Sequence, residues 1–136
     1  MPNLASHLEL LHKKLLTMGA LVEDAVRRAS QTLTEQQLEL VEAIVKDDKR
    51  IDALENTIDR DAHNLLALQQ PVAGDLRLVL LVLMTNNELE RIGDHAKNIA
   101  KIAGDLTELA RLPAFALLQE ICDLTNAMLG SALDAL

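Results

Sequence analysis

Apolar residues recur along this chain at spacings of three and four, the pattern of helices that bury one face. From about Leu4 to about Leu33 the seam is Leu8, Leu11, Leu15, Met18, Val22, Ala25 and Ala29. Gly19 lies inside that helix and weakens it somewhat. Thr34 and Gln37 make a capping-box signal, so a second helix is predicted from there to about Leu68. Its seam is Ile44, Ile51, Leu54, Ile58, Ala62 and Leu65. The segment "QQPVAGD" breaks the pattern: Pro71 disfavours helix at Gln70, and Asp75 after Gly74 is a candidate N-cap.

A third helix is predicted from about Asp75 to about Ala110. Its seam runs Leu78, Val82, Thr85, Leu89, Ile92, Ala96, Ile99, Ala103, Leu106, Ala110, alternating steps of four and three. At 1.5 Å per residue this rod is roughly 50 Å long. Pro113 marks a boundary, and a fourth helix follows from about Ala114 to the end. Long helices with short connections predict an all-α fold, an antiparallel up-down-up three-helix bundle with an additional helix. A shift of 107 residues lays the fourth helix on the first, placing Leu10 on Leu117, Leu11 on Leu118, Val22 on Leu129 and Ala25 on Ala132. Two amphipathic helices share some such matches by chance, so the shift alone leaves true duplication open.

Composition agrees with the helical pattern. Of 136 residues 49% are hydrophobic, mostly aliphatic, with one Phe and no Trp or Tyr, which leaves few aromatic strand formers. The net charge of −8, without a Lys/Arg cluster, excludes a broad nucleic-acid footprint and disfavours an anionic membrane surface. The densest apolar run, "LVLLVLM", is far shorter than the ~20 residues a bilayer span needs. The single cysteine, Cys122, suits a reducing compartment, and a soluble cytoplasmic protein is expected.

Candidate chemistry lies in two acidic stripes. On the second helix Asp48, Asp52, Glu55 and Asp59 fall at i, i+4, i+7 and i+11, while Lys46, Lys49, Arg50 and Arg60 lie mostly on other faces. On the third, Asn86, Glu90, Asp94 and Asn98 recur every four residues, roughly opposite the predicted seam. Like charges one turn apart cost a few tenths of a kcal/mol per pair, so the arrangement calls for a cation or a solvated face. Hard divalent or trivalent ions take several oxygens and let neighbouring ions share bridging carboxylates. Asn86, Asn87 and Asn98 are further oxygen donors, and His63 and His95 nitrogen donors. No phosphate loop or nucleophile motif is present, and the lone Glu-x-x-His, Glu9 to His12, falls short of a di-iron oxidase set. The early third helix is apolar nearly all round, so Leu76, Val79, Leu80 and Leu83 form a candidate interface.

Residues 65–80, "LLALQQPVAGDLRLVL", followed by 86–100, "NNELERIGDHAKNIA", resemble the PhoU family of bacterial phosphate-transport regulators, a likeness covering roughly residues 4–110. The resemblance implies three-helix bundles in tandem, and so a division into residues 1–111, one bundle, and 112–136, the first helix of an incomplete second repeat. It places the family's Glu/Asp-x-x-x-Asp metal motif on Glu90 and Asp94, with Asp48, Asp52, Glu55 and Asp59 as counterparts. It further implies a multinuclear metal, iron or another divalent cation, on the bundle surface. As to function, it implies a non-enzymatic cytoplasmic adaptor between the ATPase subunit of a phosphate ABC transporter and a sensor histidine kinase, a negative regulator when phosphate is plentiful. A dimer, formed through the fourth helix, and a metal-storing or redox-active bundle are the further expectations.

Overall fold

The computed structural model of the chain describes residues 3–106 and 115–136. Four helices appear in order: α1 (Leu4–Thr34), α2 (Glu39–Gln69), α3 (Ala73–Asp105) and α4 (Phe115–Asp134). The first three form an antiparallel bundle, and α4 packs on α1 alone among the described elements. Ion pairs between low and high positions fix the direction: Lys14 with Asp61 and Arg28 with Asp47 join α1 to α2. The fourth helix runs antiparallel to α1. Asn126 donates to Ser30 Oγ near one end and His12 Nε2 lies 3.0 Å from Leu136 O at the other. Between them Leu133 presses against Gly19, where a Cβ would meet its Cδ2 at 2.8 Å. The glycine that weakens α1 as a helix therefore makes room for the Leu133 side chain of α4.

The α1 seam is buried at every predicted position, and the α2 seam at all but Leu54, which is half-buried. Asn3 caps α1, accepting from the Ser6 N–H at 2.9 Å. Other boundary signals resolve differently. Thr34 does not cap α2: it closes α1, donating its hydroxyl to Ser30 O at 2.8 Å, the back-bond to the i−4 carbonyl that threonine readily makes within a helix. The α2 N-cap is Leu38, with no side-chain bond. Gln70 ends α2 in the left-handed region (φ 45), a common helix stop, and Pro71 follows it. Asp75 is not the N-cap of α3, which is Val72; it sits in the first turn, where a carboxylate still favours the helix dipole. The third helix closes at Leu106, whose N–H bonds Ile102 O at 3.0 Å. Ala110, Pro113, Ala114 and the division at 111/112 lie outside the described residues.

The main correction concerns the register of α3. Its buried face is Val79, Val82, Asn86, Leu89, Gly93, Ala96, Ala100 and Ala103. Val82, Leu89, Ala96 and Ala103 are common to the predicted seam. The alternate positions move one residue along, from Leu78, Thr85, Ile92 and Ile99 to Val79, Asn86, Gly93 and Ala100. At 100° per residue this turns the core face by about 50°. The physical reason is size. The predicted seam follows the largest side chains, whereas the true one puts smaller residues where α3 meets two helices at close range; Leu78 and Ile92 flank it half-buried and Ile99 is exposed. Val79, placed on the candidate outer interface, is therefore fully buried core, and Leu76 and Leu83 are half-buried. Leu80 alone of that set is exposed, beside Leu81 and Met84.

This register predicts unequal substitution costs. Enlarging buried Ala100 to Leu is expected to cost about 1–3 kcal/mol. Trimming half-exposed Ile99 to Ala is expected to cost about 0.5 kcal/mol. Urea denaturation of both variants checks this, and the reverse order would restore the seam through Ile99.

Candidate functional site

Gly93 sets the geometry of the site. A Cβ at this position would lie 3.3 Å from Ile51 Cδ1, 3.4 Å from Ile51 Cγ2 and 3.7 Å from Val22 Cγ2. A glycine inside a helix costs about 1 kcal/mol relative to alanine, so its presence at this crossing reflects close helix approach. With α3 drawn in at Gly93, Glu90 and Asp94 stand on the flank that faces α2. The turned register makes the same point: the α3 acidic stripe borders the core rather than standing opposite it.

The two stripes consequently converge, but not all their members meet. Carboxylate oxygens of Asp52, Glu55 and Glu90 all lie within 4.8 Å of one another. All three groups titrate above their ordinary values. Partial burial is the first cause in each, followed for Asp52 by Asp48, for Glu55 by Glu90, and for Glu90 by Asp52. Three like charges so placed repel; no Lys or Arg among the described residues pairs with them, and the Lys97 charge nearby offsets the repulsion at Asp52 and Glu90 only in part.

Asn86 stands one turn before Glu90 and belongs to the same junction. It is 2% exposed, and its Nδ2 donates to the backbone oxygen of Glu55 at 3.0 Å. That bond fixes the amide's orientation and leaves Oδ1 as a buried acceptor without a donor among the described residues. Leaving such a group unpaired costs about 1–3 kcal/mol. Three carboxylates form an all-oxygen donor set, with the Asn86 carbonyl one turn of α3 before Glu90 at the same junction, and such a set fits a hard cation and fits a soft metal poorly. The spacing of the three carboxylates is one that a single ion closes with small side-chain shifts.

Asp48 and Asp94 have a different environment. Asp48 is buried, and its Oδ2 accepts from Lys97 Nζ at 3.0 Å; Asp94 Oδ1 is also 3.0 Å from Lys97. These two hydrogen bonds hold the ammonium of Lys97 well above its ordinary range. Asp59 stands apart, exposed, 3.6 Å from the His63 imidazole. Asn87, Asn98 and His95 are exposed. Two residues important here, Gly93 and Lys97, escape the stripe pattern. A mid-helix glycine between two acids was the available signal for the first. For the second it was a lysine three residues after Asp94.

Comparison with known proteins agrees with this architecture. A family model described as "PhoU domain" matches residues 15–103, more than half of the chain. Over 129 residues the chain is 34% identical to the phosphate-specific transport system accessory protein PhoU homolog of Aquifex aeolicus (strain VF5), covering 95% of this chain and 58% of that protein. It is 33% identical over 130 residues to the phosphate-specific transport system accessory protein PhoU of Escherichia coli (strain K12), covering 96% and 54%. The crystal structure of PhoU from Pseudomonas aeruginosa superposes with a TM-score of 0.92 at 34% identity, covering 96% of this chain and 63% of that one. The chain thus spans about half the length of the curated relatives it matches. With the domain matched over most of its length and the same helical bundle observed, this chain belongs to the PhoU family.

Proposed function

We propose that the chain is a regulator of phosphate uptake and of the response to phosphate starvation, working as a non-enzymatic adaptor in the cytoplasm. The observation that carries this reading is the match, along nearly the whole chain, to proteins named as phosphate-specific transport accessories. Its partners would be the ATPase subunit of a phosphate ABC transporter and a sensor histidine kinase, and it would restrain both when phosphate is plentiful. An adaptor acts by binding two states of a partner unequally, which needs surface rather than a reaction centre. Exposed Leu80, Leu81 and Met84 on α3 offer such a surface. No helix among the described residues is long and apolar enough to cross a membrane, so contact with a transporter would be made through its soluble subunit. The fourth helix, seated on α1 alone, is the element we assign to a second repeat; its exposed Leu117, Ile121, Leu124 and Met128 would serve dimerisation or that repeat's completion.

A second reading, favoured by the orphaned Asn86 oxygen beside three crowded carboxylates, is cation binding at Asp52, Glu55 and Glu90. The ion would supply positive charge at a junction of two helices, and its retention or release would be felt by the bundle. Iron or another hard cation suits the donors, and storage or redox use would be the alternative to a purely adaptor role.

Two outcomes are expected. Leu80→Asp keeps the helical content and weakens capture of the transporter ATPase subunit by tenfold or more, and cells carrying it express a starvation reporter while phosphate is plentiful. Parental affinity and a silent reporter would remove the docking role of that face. For the cluster, the raised carboxyl groups release protons at higher pH when folded than when unfolded. Their effect therefore destabilises the protein at neutral pH and is relieved as pH falls through the raised values towards the ordinary ones of 3.8 and 4.5. Ion-free Glu90→Gln is expected to melt about 1–3 °C above the parent at pH 7. The gap should close at lower pH, and Mn²⁺ should raise the parent's Tm more than the variant's. A gap independent of pH and of Mn²⁺ would contradict the cluster's assignment.

A further inference from the structure

Among the described residues, Lys97 is the one Lys or Arg within ion-pair distance of the five converging carboxylates. Its position is closely held. The side chain is 22% exposed, that of its partner Asp48 is 7% exposed, and both of its ion pairs are 3.0 Å long. Asp94 and Lys97 are three residues apart on α3, whereas Asp48 reaches them from α2. The ammonium therefore bridges the two helices, between one acid of each stripe. One turn further along the same helix-helix junction, Asp52, Glu55 and Glu90 bring their oxygens together with no such partner, beside the unpaired Asn86 oxygen.

We infer that Lys97 is a tethered competitor cation, which fills the Asp48/Asp94 end of the acidic row and confines metal to the Asp52/Glu55/Glu90 end. The inference rests on the reading that the row takes a cation. Five carboxylates on two helices are otherwise suited to more than one ion, because bridging oxygens let neighbouring ions share ligands. An ammonium is a compact point charge with three donors on a flexible stem, and here it occupies the place a second ion would take. Because it is covalently attached, its effective concentration at Asp48 and Asp94 exceeds that of any free ion at ordinary levels. Its positive charge also reaches the neighbouring acids and opposes a second cation close by. Lys97 thereby sets the nuclearity of the site, limiting the chain to one ion.

The test uses the full chain stripped with chelator and titrated with Mn²⁺, read by calorimetry and by electron paramagnetic resonance. The parent and Lys97→Arg are expected to bind one Mn²⁺ per chain. Lys97→Met, which keeps the stem and removes the charge, is expected to bind two, and adding Asp48→Asn should return it to one. If Lys97→Met binds one ion with the parent's affinity, or the parent binds two, the inference is overturned while cation binding stands. If neither protein binds Mn²⁺, both readings fall. Removing the partner of a buried carboxylate is destabilising, so Lys97→Met is also followed by circular dichroism during the titration. Should it be unfolded without ion, refolding that saturates at two Mn²⁺ per chain supports the inference. Refolding at one, or none with Mn²⁺, overturns it.

Discussion

The constraint on which the site depends is the close crossing of α2 and α3 at Gly93. Without a Cβ there, Ile51 can seat against the α3 backbone, and Val22 from α1 closes the same contact. The acids on either side of that crossing then have no choice of distance. Glu90, one turn before, meets Asp52 and Glu55; Asp94, the next residue, meets Asp48 through Lys97. The repulsion this creates is sustained by the core beneath it, where Ile51, Ile58, Val22, Met18 and Leu15 are almost wholly buried. Fully burying one such side chain contributes about 1.5–3 kcal/mol, more than a like-charge pair costs.

One row of acids thus carries two kinds of electrostatics. At one end a buried carboxylate is paired with a closely held ammonium, an ion pair that spans α2 and α3. At the other, three carboxylates share partial burial and mutual repulsion, and a buried amide oxygen beside them lacks a donor. Replacing an acid with an amide at the second end would relieve repulsion, and on the cation-binding reading proposed above the acids are kept for their affinity for positive charge. On the reading proposed above, a cation-sensitive helix junction next to an apolar outer face would join a ligand response to a docking surface.

Much of this was legible in the sequence. The α1 seam, the turn at Gln70–Pro71 and the presence of two acidic stripes follow from three- and four-residue spacing and from proline stereochemistry. The α3 register was not legible, because hydrophobic size favours Leu78, Ile92 and Ile99, while contact with two helices at close range favours Val79, Gly93 and Ala100. That half-step error also hid the convergence of the stripes and misplaced Val79 on the surface. The Thr34 signal failed because a threonine hydroxyl near a helix end can serve either the helix behind it or the one ahead. Lys97 went unseen because its pairing with Asp48 crosses between helices, and periodicity within one helix carries no information about such a pair.

The most direct measurement is anomalous diffraction from crystals of the protein grown with Mn²⁺, recorded at the manganese edge. A single peak among Asp52, Glu55, Glu90 and Asn86 is predicted, with Lys97 still between Asp48 and Asp94. A peak at Asp59 and His63, or none with α2 and α3 packed at Gly93 as described, would contradict the account.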